Sequence, residues 1–308
     1  MKRILAFTFF LLCSLGLVKA QDKTVESTKP KTETSSAQGS DDLDAFDKQW
    51  RFGLRFTPQP TWFSSNEKNI SPNGTIFGYG FGLHIEYRFS KTVGLVTGLG
   101  GDIEGGKYSV SYDTANSYAV RYWLDSEGDL KQPESGTAVN TYRKKGNTEC
   151  VLKERQISTT YLTIPAILKM STKELNGFKY YGMFGGELGI RIKTKASDSY
   201  YESYTFDASG TAIKAGPSTQ DGINLAKDCP LIPMRLGMNL GLGTEYRFSG
   251  STSLMFSVNY FQSFVNVLQP KSDFLISNPV SDPLTRDYTF VKQSLLMKAV
   301  RINIGILF

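Results

Sequence analysis

The sequence predicts an all-β protein: an eight-stranded antiparallel up-and-down transmembrane β-barrel with long extracellular loops. Between residues 234 and 248 every even-numbered residue except Thr244 is apolar or aromatic, whereas the odd-numbered ones read Arg, Gly, Asn, Gly, Gly, Glu, Arg. The chain ends with the same alternation, since one face carries Val300, Ile302, Ile304, Ile306 and the terminal Phe308. Strands with one apolar and one polar face are typical of barrels that contact lipid on the outside.

The number of such strands and their spacing predict the topology. Connections between them alternate long and short, which is typical of outer-membrane barrels with tight periplasmic turns and long external loops. An even number of strands places both termini in the periplasm. A soluble β-sandwich would not be expected to produce this alternation. The eight predicted strands are residues 50–63, 76–89, 93–112, 156–170, 178–193, 233–248, 252–268 and 294–308.

The segment before the first strand has two parts. Two basic residues precede an apolar run, and Val18-Lys19-Ala20 matches a signal-peptidase cleavage pattern, so residues 1–20 are predicted to be a signal peptide. Residues 21–49 are rich in Ser, Thr, Lys, Glu and Asp and predict a disordered periplasmic leader. The barrel domain is then residues 50–308.

Composition excludes several classes of function. The formal charge of +6 falls to +3 when Lys2, Arg3 and Lys19 leave with the signal peptide, which is too small and scattered to indicate nucleic-acid binding. Outside the predicted signal peptide, no stretch reaches 18 consecutive apolar residues, so a helical membrane span is not expected. One histidine and two distant cysteines provide no metal-ligand spacing. We therefore expect no cofactor, no metal and no nucleic acid.

A pentapeptide occurs twice. Glu86-Tyr87-Arg88-Phe89-Ser90 is repeated as Glu245-Tyr246-Arg247-Phe248-Ser249, and each copy ends a predicted strand just before a tight turn. The aromatic rings are expected to point outward at the headgroup level, and the charged side chains inward. Both an ancient duplication and convergence on one interfacial role stay open.

One strand carries a family resemblance. Tyr161-Leu162-Thr163-Ile164-Pro165-Ala166-Ile167-Leu168-Lys169 resembles the Tyr-Leu-Glu-Ile-Pro-Leu-Leu-Leu-Lys strand of the PorT-like outer-membrane β-barrel proteins of Bacteroidetes. The resemblance implies an eight-stranded, OmpA/OmpX-like barrel in the outer membrane and, for PorT itself, a part in type IX secretion. Thr163 replaces the usual Glu of the family, and the loops here are long. Pro165 cannot donate to the strand ladder, so a bulge or local break is expected there.

The strand alternation places many charged side chains inside the barrel. The interior of an eight-stranded barrel is filled by its own side chains, and buried ions there must be paired. The favoured interpretation is a plug of ion pairs that seals the lumen, and the alternative is an ion pathway gated by those pairs. The predicted interior network consists of Arg55, His84, Glu86, Arg88, Lys169, Glu187, Arg191, Arg235, Glu245, Arg247 and Arg301.

His84 is the single histidine of the chain. It lies five residues before the end of a descending strand, in the periplasmic half, whereas a catalytic barrel normally holds its histidine near the outer rim. We therefore expect a paired interior side chain and no enzymatic activity.

Two features are predicted for the long loops. Cys150 and Cys229 lie near the ends of the second and third long loops, so a disulfide that joins these loops into one external cap is expected, with two free thiols as the alternative. Basic residues of the second loop could bind anionic lipopolysaccharide, with a solvated loop as the commoner outcome. They are Arg143, Lys144, Lys145, Lys153 and Arg155. In the third loop Tyr200, Tyr201, Tyr204 and Phe206 either continue the strands or pack in the cap, and could bind a partner.

The predicted function follows from these features. We expect a non-enzymatic outer-membrane barrel, a structural or accessory component that binds a protein partner or surface ligand, with a link to type IX secretion implied by the resemblance. A narrow channel or small-solute transporter is the alternative, and a barrel enzyme is a distant third. The expected partners are outer-membrane lipid, the barrel-assembly machinery, secretion-machine subunits and lipopolysaccharide. The C-terminal signal for assembly is expected at Ile304, Ile306 and Phe308.

Overall fold

A computed structural model describes residues 49–113, 118–134, 137–216, 218–277 and 288–308. The predicted signal peptide and all but the last residue of the predicted leader lie outside these ranges. The dominant feature is one large antiparallel sheet that closes on itself. Its eight barrel strands are β1 (Trp50–Ser64), β3 (Ile76–Arg88), β4 (Val93–Val110), β7 (Thr148–Ser171), β8 (Phe178–Phe206), β11 (Met234–Ser249), β12 (Thr252–Asn266) and β15 (Leu296–Leu307).

Seven shorter strands lie in the long connections. They are β2 (Ile70–Pro72), β5 (Val120–Leu124), β6 (Leu130–Lys131), β9 (Ala212–Lys214), β10 (Thr219–Asn224), β13 (Lys271–Ser277) and β14 (Thr289–Lys292), accompanied by short 3-10 helices at Val139–Tyr142 and Ala226–Asp228.

The ring of strands is closed by the pairing of the first and last strands. Around the barrel the order is β1, β3, β4, β7, β8, β11, β12, β15, and β15 pairs with β1 in antiparallel register, with Leu54 opposite Ile306. Every neighbouring pair is antiparallel and consecutive among the barrel strands, as in an up-and-down meander. The predicted fold class, an eight-stranded antiparallel barrel, is confirmed.

Strand β11 shows why the sequence forms this structure. Its outward side chains are apolar and exposed, with Leu242 74% exposed, whereas Arg235 and Glu245 on the inner face are 2% and 1% exposed. Because side chains alternate along a strand, a period of two puts the apolar set outside and the charged set in the lumen. Among the described residues, no helix is long and apolar enough to cross a membrane.

Strands β7 and β8 are longer than predicted. The sequence pattern predicts a fourth strand that begins at residue 156 and a fifth strand that ends at residue 193. In the structure, β7 begins at Thr148 and β8 ends at Phe206. A register shift at Thr160 and Tyr161 opposite Lys193 and Arg191 reverses which residues of β8 point inward. A bulge of this kind interrupts the period of two, so the outer continuation of the strand was not recognised in the sequence.

Pro165 causes a local break and leaves the register intact. Pairing between β4 and β7 stops after Val96 opposite Ile167 and resumes at Gly100 opposite Thr163, with no residue inserted. Proline has no N–H to donate to the ladder, which accounts for the gap on this side of β7.

A compact cap covers the end of the barrel at which the long connections emerge. We define the cap as the described residues of the four long connections together with 148–159 of β7 and 194–206 of β8. Its apolar core is continuous with barrel residues such as Phe261 and Met297. Within the cap, buried side chains of this core include Tyr122, Leu124, Cys150, Leu152, Tyr200, Leu225, Cys229, Phe274, Leu275 and Leu295.

Candidate functional site: a sealed lumen below a cap

Two carboxylates and three cations form a cluster near the short-turn end of the lumen. We call this the inner cluster: Arg51, Glu86, Arg88, Lys169 and Glu245. Lys169 Nζ lies 2.7 Å from Glu86 Oε2 and also binds Glu245, while Arg51 Nη1 lies 2.7 Å from Glu245 Oε2. Arg88 Nε lies 2.9 Å from Glu86 Oε1. All five side chains are buried, so each charge depends on its partners for stabilisation.

The repeated pentapeptide supplies both carboxylates of the inner cluster. Glu86 lies on β3 and Glu245 on β11, and four steps around the eight-strand ring separate these strands in either direction. The two copies of the repeat therefore project from opposite walls, and their glutamates meet at Lys169 in the centre.

A second group, the outer cluster, lies nearer the cap and consists of Glu104, Glu187, Arg235 and Arg301. Arg301 lies 2.6 Å from Glu187 and 2.5 Å from Glu104, and Arg235 lies 2.5 Å from Glu187 and also binds Glu104. Each arginine thus bridges both glutamates, and the four side chains from four strands form a closed ring with no net charge.

Aromatic packing holds the outer cluster in place. The Phe261 ring centroid lies 4.1 Å from the Arg301 guanidinium carbon and 4.5 Å from that of Arg235. Gly237 leaves room for this ring, because a Cβ atom there would lie 2.4 Å from Phe261. Cation–π contact with a desolvated guanidinium adds to the ion pairs.

Between the clusters, the lumen is filled by polar side chains. Asn303 donates to Asn259 Oδ1 at 3.1 Å, Asn259 donates to Asn239 Oδ1 at 2.8 Å, and Thr57 donates to Asn303 Oδ1 at 2.8 Å. A cavity of about 20 Å³ remains beside them, lined in part by Arg55 and His84. That volume holds about one water molecule.

His84 lies at the small cavity between the two clusters. The side chain is buried, and its Nε2 atom has no hydrogen-bond partner among the described residues. A catalytic imidazole is normally hydrogen-bonded to a carboxylate or a nucleophile.

Several predicted interior residues lie outside the two clusters. Arg55 is half-buried at the cavity between them. Arg191 is half-buried at the base of the cap and donates to the Pro230 carbonyl oxygen at 2.8 Å. Arg247 lies at the short-turn rim, where Nη2 is 2.8 Å from Glu174. Strand ends reach beyond the filled lumen, so an inward register alone does not bring a residue into the network.

Two members of the clusters were not among the predicted residues. Arg51 has the same parity as Arg55 on β1, and Glu104 has the same parity as the inward-facing Val96 on β4. The alternation could have revealed both. Glu104 is decisive for the arrangement, because without it the outer cluster would carry two arginines and one carboxylate.

Three buried carboxylates, Asp102, Glu104 and Glu187, have oxygen atoms within 4.8 Å of one another. Such a group has the ligand type that a hard cation prefers. Glu104 and Glu187 are already bound by two arginines, and Asp102 accepts a hydrogen bond of 2.6 Å from Thr163. Glu104 and Glu187 therefore serve the ion-pair network, whereas Asp102 accepts its hydrogen bond from Thr163.

The cap has its own buried ion pair. Arg155 lies directly opposite Asp198 on the paired strands, with Nη2 to Oδ2 at 2.6 Å and Nε to Oδ1 at 2.9 Å. Tyr122 donates to Asp198 Oδ2 at 2.5 Å and lies 2.8 Å from the Tyr200 hydroxyl. Both charged side chains are fully buried.

This pair corrects the interpretation of the basic second loop. Arg155 forms an ion pair with Asp198, and Arg143 forms an ion pair of 2.8 Å with Glu149. The two arginines therefore do not form a free cationic surface. Lys144, Lys145 and Lys153 are exposed.

The aromatic residues of the third loop lie on β8, where Tyr200 and Phe206 are buried and Tyr201 stacks on Tyr112 at 4.4 Å.

The predicted disulfide is wrong, because both cysteines are free and buried. Cys150 lies opposite Ser203 of β8, whereas the Cys229 thiol is hydrogen-bonded by Thr194 of the same strand. Nine residues separate positions 194 and 203, which is roughly 25–30 Å along a strand. A disulfide requires Cα atoms within about 7 Å of each other.

The predicted C-terminal signal lies on the lipid-facing side of β15. Ile304, Ile306 and Phe308 are each about half exposed there, at 50%, 42% and 52%.

Comparison with known proteins agrees with this architecture. A family model described as the outer membrane protein beta-barrel domain matches residues 35–269. No curated protein matches the sequence.

Solved structures show similarity at low identity. Neisserial surface protein A is 10% identical with a TM-score of 0.31, and the match covers 83% of this chain and 95% of that one. Ail, the attachment invasion locus protein of Yersinia pestis, is 8% identical with a TM-score of 0.26, covering 85% and 100%. The outer membrane protease OmpT of Escherichia coli is 9% identical with a TM-score of 0.30, covering 84% and 96%.

The family match spans most of the barrel strands and agrees with the closed ring, the apolar outer face and the charged lumen. The family implies a location in the outer membrane. The chain belongs to the outer membrane protein β-barrel domain family.

Proposed function

We propose that this protein is a non-enzymatic outer-membrane barrel whose cap lies outside the cell and binds a protein partner or surface ligand. The observation that carries the proposal is the filled lumen. Two ion-pair clusters and a chain of amide side chains occupy it and leave a cavity for about one water molecule. If solutes cannot pass through the lumen, the protein must act through residues on its outer surfaces.

The cap is the surface best suited to binding. Its apolar core is continuous with barrel residues and it holds a buried ion pair, so its outer face rests on a packed interior. A preorganised surface loses less entropy when it binds a partner. We place the cap outside the cell because long connections of outer-membrane barrels emerge there.

Bilayer conductance tests the sealed lumen. Purified protein reconstituted in planar bilayers is expected to show no stable open level, because opening would separate desolvated ion pairs. A stable open level in the nanosiemens range would instead support the channel interpretation.

The role in binding is tested by crosslinking in intact cells. A photo-crosslinking residue at Tyr112 or Ile213 of the cap should capture a specific protein or surface polymer, and the same residue at Lys173, in a short turn, serves as the control. Equal capture at both ends, or at the short turn alone, would contradict the proposal.

The resemblance of residues 161–169 to the PorT-like strand favours one partner class, the subunits of a type IX secretion machine. Lys169, the last residue of that segment, is the central cation of the inner cluster. Recovery of secretion subunits at the cap, together with an export defect on deletion, is the expected result. Normal export after deletion would exclude this role.

A further inference from the structure

The outward face of β7 and β8 changes from apolar to polar and charged side chains at one level along the two strands, which we call the register line. On β7 the outward residues below this line are Leu162 and Ile164, and on β8 the last apolar one is Ile192. Immediately above it, Thr160 pairs with Lys193 and Ser158 pairs with Lys195. The change marks the upper limit of the lipid-facing band on these two strands.

Lys193 and Lys195 lie just above this limit with no carboxylate directly paired to them. Their partners in register are Thr160 and Ser158 on β7, and Asn224 on β10 for Lys195. The nearest acidic residue on β10 is Asp221, two pairs further out, where it accepts a hydrogen bond from Ser197. Both lysines are exposed, and neither forms an ion pair with the described residues.

An apolar loop lies beside the two lysines. The segment that returns from the cap to β11 exposes Leu231 and Ile232 at 96% and 69%, and Ile192 on the neighbouring strand is 65% exposed. The Arg191 guanidinium fixes this loop through the Pro230 carbonyl oxygen, and the Arg191 N–H donates to the Pro233 carbonyl oxygen. The apolar tip is thus held in place at the edge of the lipid-facing band.

We infer that this surface is a binding site for a phosphorylated glycolipid of the outer leaflet. The two ammonium groups would bind the phosphate, and Leu231, Ile232 and Ile192 would contact the acyl chains. A ligand with both an anionic headgroup and apolar chains satisfies both halves of the surface, because cations near a membrane attract anionic lipid and apolar side chains exclude water. This site rests on the proposed function, because Lys195, Leu231 and Ile232 belong to the cap, but it does not depend on the sealed lumen or on a protein partner.

Lipid retention by the full chain in detergent micelles tests the site. The probes are monophosphorylated lipid A and the same lipid after removal of its phosphate, measured by native mass spectrometry. The wild-type protein should retain the phosphorylated form preferentially. K193Q/K195Q should lower that preference about 10- to 30-fold, as expected for loss of two cations near a charged lipid.

A matched control removes the same charge elsewhere. K68Q/K131Q changes two exposed lysines in other connections of the cap and should leave retention unchanged. Inorganic phosphate added at constant ionic strength should not displace the lipid, whereas a higher salt concentration should weaken its binding to the wild-type protein. Unchanged retention by K193Q/K195Q, loss in the control variant, or displacement by free phosphate would each overturn the inference.

The apolar half of the surface has a separate readout. L231N/I232N should weaken retention of both lipid forms while preserving the preference for phosphate. Loss of the preference with normal overall retention would contradict the assignment of this loop to the acyl chains.

Discussion

Glu86 and Glu245 project from opposite walls of the barrel and bind the same ammonium group, Nζ of Lys169. Each is the first residue of one copy of the repeated pentapeptide. The repeat therefore has a structural consequence that its sequence alone does not reveal: it supplies a symmetric pair of anions to a single cation.

Removal of that cation should destabilise the barrel. K169M removes the one lysine that binds both carboxylates and leaves them to Arg51 and Arg88, which is expected to cost about 1–3 kcal/mol in the free energy of unfolding. Urea unfolding in lipid bilayers measures this. The control is K173M in the exposed short turn, which should change stability little. Equal stability of K169M and the wild-type protein would show that the inner cluster does not depend on its shared cation.

The cap should lose stability independently of the barrel. D198N removes the buried anion that pairs with Arg155 and is expected to destabilise the cap by about 3–5 kcal/mol. Limited proteolysis should then cleave within the cap while the barrel keeps its heat-modifiable mobility on gels. D207N, in an exposed cap turn, is the matched control. If D198N unfolded barrel and cap together, the two would form one cooperative unit.

The cap should be less stable at neutral pH than at mildly acidic pH because of Asp228. Burial raises the pKa of this carboxyl above its usual value, although Ser272 and Gln293 donate hydrogen bonds to it. A raised folded-state pKa means that the protonated form is favoured on folding. Its contribution to stability is complete below the unfolded-state pKa, near 4, and is lost as the pH rises through the folded-state pKa.

D228N tests this assignment. The neutral amide should remove that part of the pH dependence and match or exceed the stability of the wild-type cap at pH 7. The Gln293 Oε1 atom has no hydrogen-bond partner among the described residues, so a flipped Gln293 amide could accept from Asn at position 228. Hydrogen exchange of cap amides between pH 4 and 8 measures the effect. A steeper pH dependence in D228N would contradict the prediction.

Both cysteines should resist alkylation in the folded protein. Burial raises the pKa of the Cys150 thiol to about 12 and also raises that of Cys229, so little reactive thiolate forms at pH 8. Mass spectrometry should find no maleimide adduct before denaturation and two afterwards in the mature chain. A recovered peptide with Cys150 linked to Cys229 would show that the cap differs from the structure described.

The sequence by itself determined the barrel. Its period of two, its alternation of long and short connections and its terminal Phe308 reflect a requirement that acts on every strand separately, since each must present apolar side chains to lipid. The alternation of side chains predicts which residues point inward, and nine of the eleven residues predicted in this way line the filled lumen. The same alternation could have identified Arg51 and Glu104.

Only the tertiary structure decided which charges meet and how the cap is built. Ion pairs such as Arg301 with Glu104 join residues 197 positions apart, and parity gives no information about partners across a lumen. Below the cap, the bulge beside Arg191 reverses the inward face of β8, which directs Asp198 to Arg155. Local pattern specifies each strand, whereas the contacts between strands depend on how the sheet closes.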